Sequence, residues 1–170
     1  VEIVLNHFQR EVIGFERVLG DVQSGAVEAL YLVGGDPDGW ISAEQAAGLE
    51  KLKLLVVQDI LPSAAAEKAG IVLAGASFAE RDGTFVNHAL LAQAIRRSIA
   101  TPGDSRPDGR ILWELSGRKG LFHAPSLRKE MSQEIGDFGA MASGDLGDEG
   151  VFLKGNSPAA KPAAEAVAKA

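Results

Sequence analysis

Acidic side chains follow two apolar runs that are typical of buried strands. Asp36 follows residues 29–33 after two glycines, and Asp59 directly follows residues 54–58. Carboxylates at such positions can accept hydrogen bonds from a nucleotide sugar or a base amine. The glycines before Asp36, Gly34 and Gly35, would let a phosphate or a second stretch of backbone approach closely. For both acids the alternative is a structural role in a turn or a helix cap.

A second polar group occupies residues 76–87, after a short apolar run. Its members that can bind or react are Glu80, Asp82, Thr84 and Asn87. Paired carboxylates can act as general acid and base. No nucleophile–base pair or metal set lies beside them in the sequence, so the alternative is a structural loop in which Thr84 or Asn87 bonds the backbone. Ser63 can cap a helix or contact a phosphate, and the cap is the preferred interpretation.

Composition excludes several classes of function. The formal net charge is −6 and the isoelectric point is about 5.1, which argues against a nucleic-acid-binding protein. The chain has no cysteine, so disulfides, thiolate-held iron–sulfur clusters and cysteine nucleophiles are excluded for this sequence. Its three histidines do not have metal-ligand spacing. We expect no nucleic-acid partner, no direct membrane insertion and no signal peptide.

The polar groups are positioned by an alternation of strands and helices. Strands are predicted at 29–33, 54–58 and 71–73, with an Ala43–Leu52 helix that opens on a Ser42–Gln45 capping box. Continuous apolar strands that end in glycines suggest burial on both faces. The pattern predicts an α/β fold, a three-layer, Rossmann-like partial parallel sheet with flanking helices, plus a helical C-terminal part.

The remaining segments are predicted less regularly. Apolar spacing predicts helices over 3–24, with a possible split at Gly14, and over 87–99, 111–115 and 125–135. The glycines of 139–150 make order there doubtful, and residues 155–170 are predicted to be an Ala/Pro-rich flexible tail. Residues 1–154 are then one domain, expected to be a fragment of a longer chain because no initiator Met is present.

Four stretches, read in order, resemble the molybdopterin oxidoreductase superfamily. They are residues 30–37 (LYLVGGDP), 54–59 (LLVVQD), 69–73 (AGIVL) and 76–88 (ASFAERDGTFVNH). Within the superfamily, the chain looks most like the large peripheral subunit of NADH-quinone oxidoreductase, complex I. Residues 106–115 (RPDGRILWEL) strengthen that likeness. The resemblance covers about residues 14–135.

The resemblance implies a site at the strand ends for molybdopterin guanine dinucleotide. The positions that would bind it are Gly35, Asp36, Asp59, Ser63, Glu80, Thr84 and Asn87. The chain departs from the family, however: where the family has Glu-Gly-Arg-x-Gln after the Asn-His pair, this sequence has Ala89-Leu90-Leu91-Ala92-Gln93. Losing polar groups that hold a phosphorylated ligand weakens binding, so we expect a vestigial site without cofactor.

The resemblance therefore implies a scaffold domain that is not itself catalytic and that supports electron transfer from NADH to quinone by the whole complex. Iron–sulfur clusters would lie elsewhere in the parent chain. The partners would be other subunits of the NADH-oxidising arm, with a homo-oligomer expected for the isolated fragment. The location would be cytoplasmic and peripheral at the inner face of the plasma membrane. The alternative is the cofactor-binding part of an active, formate dehydrogenase-like molybdopterin enzyme.

Overall fold

The computed structural model describes residue 4, residues 7–36 and residues 38–153. Contacts divide the chain into two units. The first unit comprises the described residues within Val1–Asp82 and Ile95–Phe122, and the second comprises those within Gly83–Ala94 and His123–Ala170.

A parallel sheet forms the centre of the first unit. Its strands are β1 (Ala29–Val33), β2 (Leu54–Asp59) and β3 (Ile71–Ala74), in the order β1-β2-β3. Apolar side chains on one face, such as Leu55 and Val57, are almost fully buried. The predicted α/β class and the parallel strands are confirmed.

Helices that cover this face begin and end at residues with clear local signals. Helix α1 (Phe15–Ser24) ends at Gly25, whose φ of 80° is a left-handed conformation that glycine favours. Helix α2 (Ala43–Gly48) opens on the predicted capping box and continues as a 3₁₀ turn over Leu49–Lys51. Helix α3 (Ala64–Lys68) follows strand β2. Leu19, Ala46, Leu49 and Ala65 from these elements are buried against the sheet.

Two predictions for the first unit are wrong in part. The helix expected over 3–24 is interrupted before Phe15, because Gly14 has an extended backbone and acts as the N-cap of α1, as the split predicted there requires; Val4 and His7 are helical, and residues 1–3, 5 and 6 lie outside the described part. Strand β1 is not buried on both faces, since Tyr31 is 37% exposed and Val33 is 56% exposed. The core covers alternate residues of β1 only.

The first unit is completed by its later segments. A 3₁₀ turn (Phe78–Glu80) follows strand β3, and helix α4 (Asp108–Leu115) begins directly after Pro107. An isolated parallel bridge joins Gly75 to Arg106. This bridge brings the start of α4 to the end of β3.

The second unit contains a sheet in the order β4-β5-β6 and a helical segment. The strands are β4 (Gly83–Val86), β5 (Leu91–Ile95) and β6 (Val151–Phe152), and β5 pairs antiparallel with β6. Helix α5 (Ala124–Glu134) has a proline in its first turn, as predicted, and a 3₁₀ helix (Gly136–Met141) follows it. The predicted helical C-terminal part is therefore present.

The helix predicted over residues 87–99 is wrong. The Asn87 side chain accepts hydrogen bonds from the backbone N–H groups of Ala89 and Leu91, and Leu90 has a left-handed φ of 61°. The chain therefore turns and enters strand β5, because pairing with β6 outweighs the helical apolar spacing.

The doubt about residues 139–150 is also corrected. Phe138, Met141 and Leu146 are buried, so this glycine-rich segment packs into the second unit. The predicted tail, residues 155–170, lies outside the described residues.

Across the described part of the chain, no helix combines the length and apolar character needed to cross a bilayer.

Candidate functional site

The carboxyl ends of the three parallel strands bring several loops to one edge of the first unit's sheet. We call this the strand-end edge, and define it as residues 34–36, 38–40, 59–63 and 75–82. Parallel strands end on the same side of a sheet, which is where ligands bind in open α/β folds. Five of the predicted site residues lie on it: Gly35, Asp36, Asp59, Ser63 and Glu80.

Asp59 is buried at the centre of this edge and is held by the chain's own donors. Only 7% of the residue is exposed. The indole Nε1 of Trp40 donates to Oδ2 at 2.9 Å, and the backbone N–H of Ile60 donates to Oδ1 at 2.8 Å. A buried carboxylate without such donors would be strongly unfavourable, so these bonds make Asp59 tolerable in the interior.

Gly34 is the position at which Trp40 and Asp59 approach the backbone. A Cβ added there would lie 2.5 Å from Asp59 Oδ2 and would collide with Trp40 Nε1. The close approach expected at the glycine pair does occur at Gly34, but an indole and a carboxylate of the same chain occupy the space.

A second polar network links β2 to the start of α4. Gln58, only 1% exposed, accepts from the Tyr31 hydroxyl and donates from Nε2 to Asp108 Oδ1 at 2.7 Å. Asp108 is also ion-paired with Arg81. Burial lowers the pKa of the Arg81 guanidinium and raises the pKa of the Tyr31 hydroxyl. Since guanidinium titrates far above neutrality, Arg81 remains charged beside Asp108.

Gly35 and Asp36 form the open part of the strand-end edge. Gly35 has a φ of 130°, and apart from its chain neighbours no atom of the described residues lies within 4 Å of a Cβ built there. Asp36 is exposed, and its Oδ1 accepts from the backbone N–H of Asp38 at 3.0 Å. An exposed carboxylate beside open backbone can accept hydrogen bonds from hydroxyl or amino groups of a ligand.

Ser63 and Glu80 have capping roles. The Ser63 hydroxyl accepts from the backbone N–H of Ala66 at 3.3 Å and caps helix α3, which was the preferred interpretation of this residue. Glu80 accepts from the backbone N–H of Ser77 at 2.8 Å in a second capping box. A role of either residue in cofactor binding stays a prediction.

Thr84 and Asn87 belong to the second unit. Thr84 accepts from Nη1 of Arg128 at 3.1 Å, and Asn87 accepts from the two backbone N–H groups of its own turn. The backbone-bonding alternative for Asn87 is confirmed. Their predicted part in cofactor binding stays a prediction.

Arg128 organises the second unit from inside helix α5. It is 7% exposed, and its Nε and Nη2 donate to the carbonyl oxygen of Gly144 at 2.8 and 2.6 Å. Its Nη1 also donates to the carbonyl oxygen of Gly83. Burial lowers the pKa of Arg128, and the charge of Asp145 partly opposes this. One side chain thereby joins helix α5 to two separate segments.

Several residues of these networks were not predicted from the sequence. Arg128 lies on the same helix face as Ala124, Met131 and Ile135, to judge from their spacing. A charged residue on an apolar face is a signal that would have identified it as buried. The helix predicted over 111–115 begins at Asp108, directly after Pro107, and Asp108 was not among the predicted site residues. No local signal connects Trp40 with Asp59.

Metal binding would require several ligand side chains to converge. Among the described residues, no group of three or more His, Cys, Asp or Glu side chains is placed to hold a metal ion. The acids of the strand-end edge are instead bonded to side-chain and backbone donors of the chain.

Comparison with known proteins identifies the sequence's relatives. The molybdopterin oxidoreductase family profile matches residues 11–118. The alpha subunit of an NADPH-Fe(3+) oxidoreductase from Geobacter sulfurreducens is 36% identical over 65% of this chain and 14% of its own length. The alpha subunits of F420-dependent formate dehydrogenases 2 and 1 from Methanococcus maripaludis are 35% and 37% identical, over 74% and 64% of this chain. The chain spans 20% and 17% of those two relatives.

Proposed function

This chain belongs to the molybdopterin oxidoreductase family, and we propose that it is part of the alpha subunit of a formate dehydrogenase-like oxidoreductase. The support is its similarity to formate dehydrogenase alpha subunits from Methanococcus maripaludis. This favours the formate dehydrogenase-like alternative over the complex I subunit, which none of these relatives represents.

In such a subunit the strand-end edge would bind the nucleoside end of molybdopterin guanine dinucleotide. The observation that carries this is the open backbone at Gly35 beside the exposed carboxylate of Asp36. Ribose hydroxyls and base amino groups are donors that a carboxylate accepts well. When bound, the cofactor supplies the oxidation–reduction chemistry, and residues of this chain bind and orient its nucleoside end.

The pyrophosphate of such a cofactor fits the described edge less well. The cation that these loops carry, Arg81, is already paired with Asp108, and removing it would leave a partly buried acid without its partner. Neighbouring carboxylates at Asp36, Asp59 and Glu80 would also repel phosphate. Phosphate contacts would therefore come from residues outside this edge.

The test uses the full-length protein that contains this chain, purified from its native host. We expect bound molybdenum or tungsten, a guanine nucleotide released on denaturation, and dye reduction that depends on formate. Asp36→Asn should reduce the retained guanine nucleotide about tenfold, because a charge-assisted hydrogen bond is lost. Asp38→Asn, on the same exposed loop, is the matched control. Absence of both metal and nucleotide would contradict the proposal.

A second candidate is the scaffold domain of the large peripheral subunit of complex I, without cofactor. The support for this candidate is that the side-chain oxygens of Asp59, Ser63 and Glu80 already accept hydrogen bonds from donors of the same chain. The partners would be subunits of the NADH-oxidising arm, and the protein would be peripheral at the cytoplasmic face of the membrane. A native protein that contains iron but no molybdenum, tungsten or guanine nucleotide, and that oxidises NADH within a larger complex, would favour this candidate.

A further inference from the structure

The indole of Trp40 lies beside Gly34, the residue that follows strand β1. Its indole Nε1 lies against Gly34 and donates to Asp59 Oδ2 at 2.9 Å. Any side chain larger than hydrogen at Gly34 would collide with this pair. The indole and the carboxylate therefore fill the crevice at this strand end.

The donor that Trp40 presents is chemically like the donors of a nucleoside. An indole N–H is a neutral, planar ring donor, as are the ring N–H and amino groups of guanine. The other oxygen of Asp59 is bonded to the backbone N–H of Ile60, and the residue is only 7% exposed. The position that the indole N–H occupies beside Oδ2 is therefore one at which the donor of a ligand would bond this carboxylate.

The segment that carries Trp40 is suited to a change of position. It contains two glycines with left-handed φ values, Gly35 at 130° and Gly39 at 81°, and the residues Asp36, Asp38 and Gly39 are exposed. Trp40 itself is partly exposed and packs on the edge of the core. Displacing the indole would free Asp59 Oδ2 to accept another donor.

We propose that Trp40 is a built-in occupant of the Asp59 acceptor site and determines whether a nucleoside binds there. A nucleoside that contacts Gly35 and Asp36 competes with the indole for Asp59 and displaces it at saturation. With the indole displaced, Asp59 accepts the base amino group as a second, buried contact. This inference rests on the proposed function only in taking a nucleoside as the ligand.

Trp40→Phe is the direct test, because phenylalanine keeps the ring packing and removes the N–H. Guanosine binding to the full 170-residue chain is measured by equilibrium dialysis, with thermal melting to verify folding. We expect Trp40→Phe to bind guanosine at least about tenfold more tightly than the wild type, since the ligand gains a charged acceptor without competition. Trp113→Phe, which removes the other tryptophan, should leave the affinity unchanged. Adding Asp59→Asn to Trp40→Phe should abolish the gain.

A second measurement does not depend on the folding of Trp40→Phe. In the Trp113→Phe variant, Trp40 is the one remaining tryptophan of the 170-residue sequence. Guanosine binding should therefore shift the tryptophan emission to longer wavelength, because the indole enters water. Unchanged or weaker affinity in Trp40→Phe, or no emission shift at saturating guanosine, would overturn the inference. If the native protein contains metal and guanine nucleotide but Trp40→Phe binds guanosine no more tightly than the wild type, the inference is wrong and the proposed function stands. If Trp40→Phe binds guanosine more tightly but the native protein contains no cofactor, the proposed function is wrong and the inference stands.

Discussion

The two units of this protein stabilise buried charge in different ways. In the first unit, Asp108 has an ionic partner in Arg81, and Asp59 has an indole and a backbone donor. In the second unit, Arg128 is buried against neutral oxygens of Gly83, Thr84 and Gly144. The acids of the first unit thus each have their own donor, one neutral and one charged. Arg128 joins three segments of the second unit, so we expect its removal to destabilise that unit.

The largest effect is expected where the second unit depends on one side chain. Arg128→Met should lower the free energy of unfolding by about 3 kcal/mol, because the Gly144 carbonyl and its neighbours lose their buried donor. Urea unfolding monitored by circular dichroism measures the change. Arg96→Met, at an exposed position, should stay within about 0.5 kcal/mol of the wild type. Equal effects of the two substitutions would show that Arg128 does not hold the unit together.

A somewhat smaller effect is expected where the first unit is tightly packed. Gly34→Ala should lower the free energy of unfolding by about 2 kcal/mol, since the new Cβ collides with Trp40 and Asp59. Gly20→Ala lies within helix α1, where no described residue outside the helix's own backbone and the chain neighbours comes within 4 Å of the new Cβ, and should instead raise it by up to about 1 kcal/mol. The same sign for both substitutions would argue against the close packing at Gly34.

Substitution of Leu90 measures the free-energy cost of the turn that replaces the predicted helix. Leu90→Gly should change the free energy of unfolding by no more than about 0.5 kcal/mol, because relief of the left-handed φ offsets the lost side chain. Leu91→Gly, in strand β5, has no such relief and should cost about 2 kcal/mol. Thermal melting of both variants compares them. A larger loss for Leu90→Gly would contradict this account of the turn.

The smallest effect concerns the surface of the first unit. Hydrogen bonding and charge from Arg110, with Arg106, lower the pKa of Glu114 below its ordinary value of 4.5. The carboxylate therefore contributes stability above that value and loses the contribution as the pH falls through the lowered pKa. Urea unfolding from about pH 6 to about pH 3 should show a slightly shallower pH dependence in Glu114→Gln. An identical dependence in both proteins would show that the pair contributes nothing.

The first unit was largely predictable from sequence because its signals are local. The Ser42–Gln45 capping box, the stop at Gly25 and the apolar strand runs each act within a few residues. Parallel pairing then follows from helical connections of this length. Together, these local signals are sufficient to predict that Gly35, Asp36 and Asp59 lie at one edge of the sheet.

The contacts that the sequence did not predict join residues distant in the chain. Trp40 and Asp59 are 19 residues apart, and Arg128 lies 44 residues from Thr84. Strand β5 was mistaken for a helix because its apolar spacing fits both periods, and the decision comes from pairing with β6. Tertiary partners therefore determine these residues, and residue type or spacing alone does not reveal them.

We propose that a nucleoside binds at the strand-end edge of the first unit. Hydrogen–deuterium exchange of the full 170-residue chain, with and without guanosine, tests it most directly. We predict slower backbone exchange at residues 34–40 when guanosine is present. Exchange at residues 34–40 that guanosine leaves unchanged, at concentrations that saturate binding, would contradict the claim.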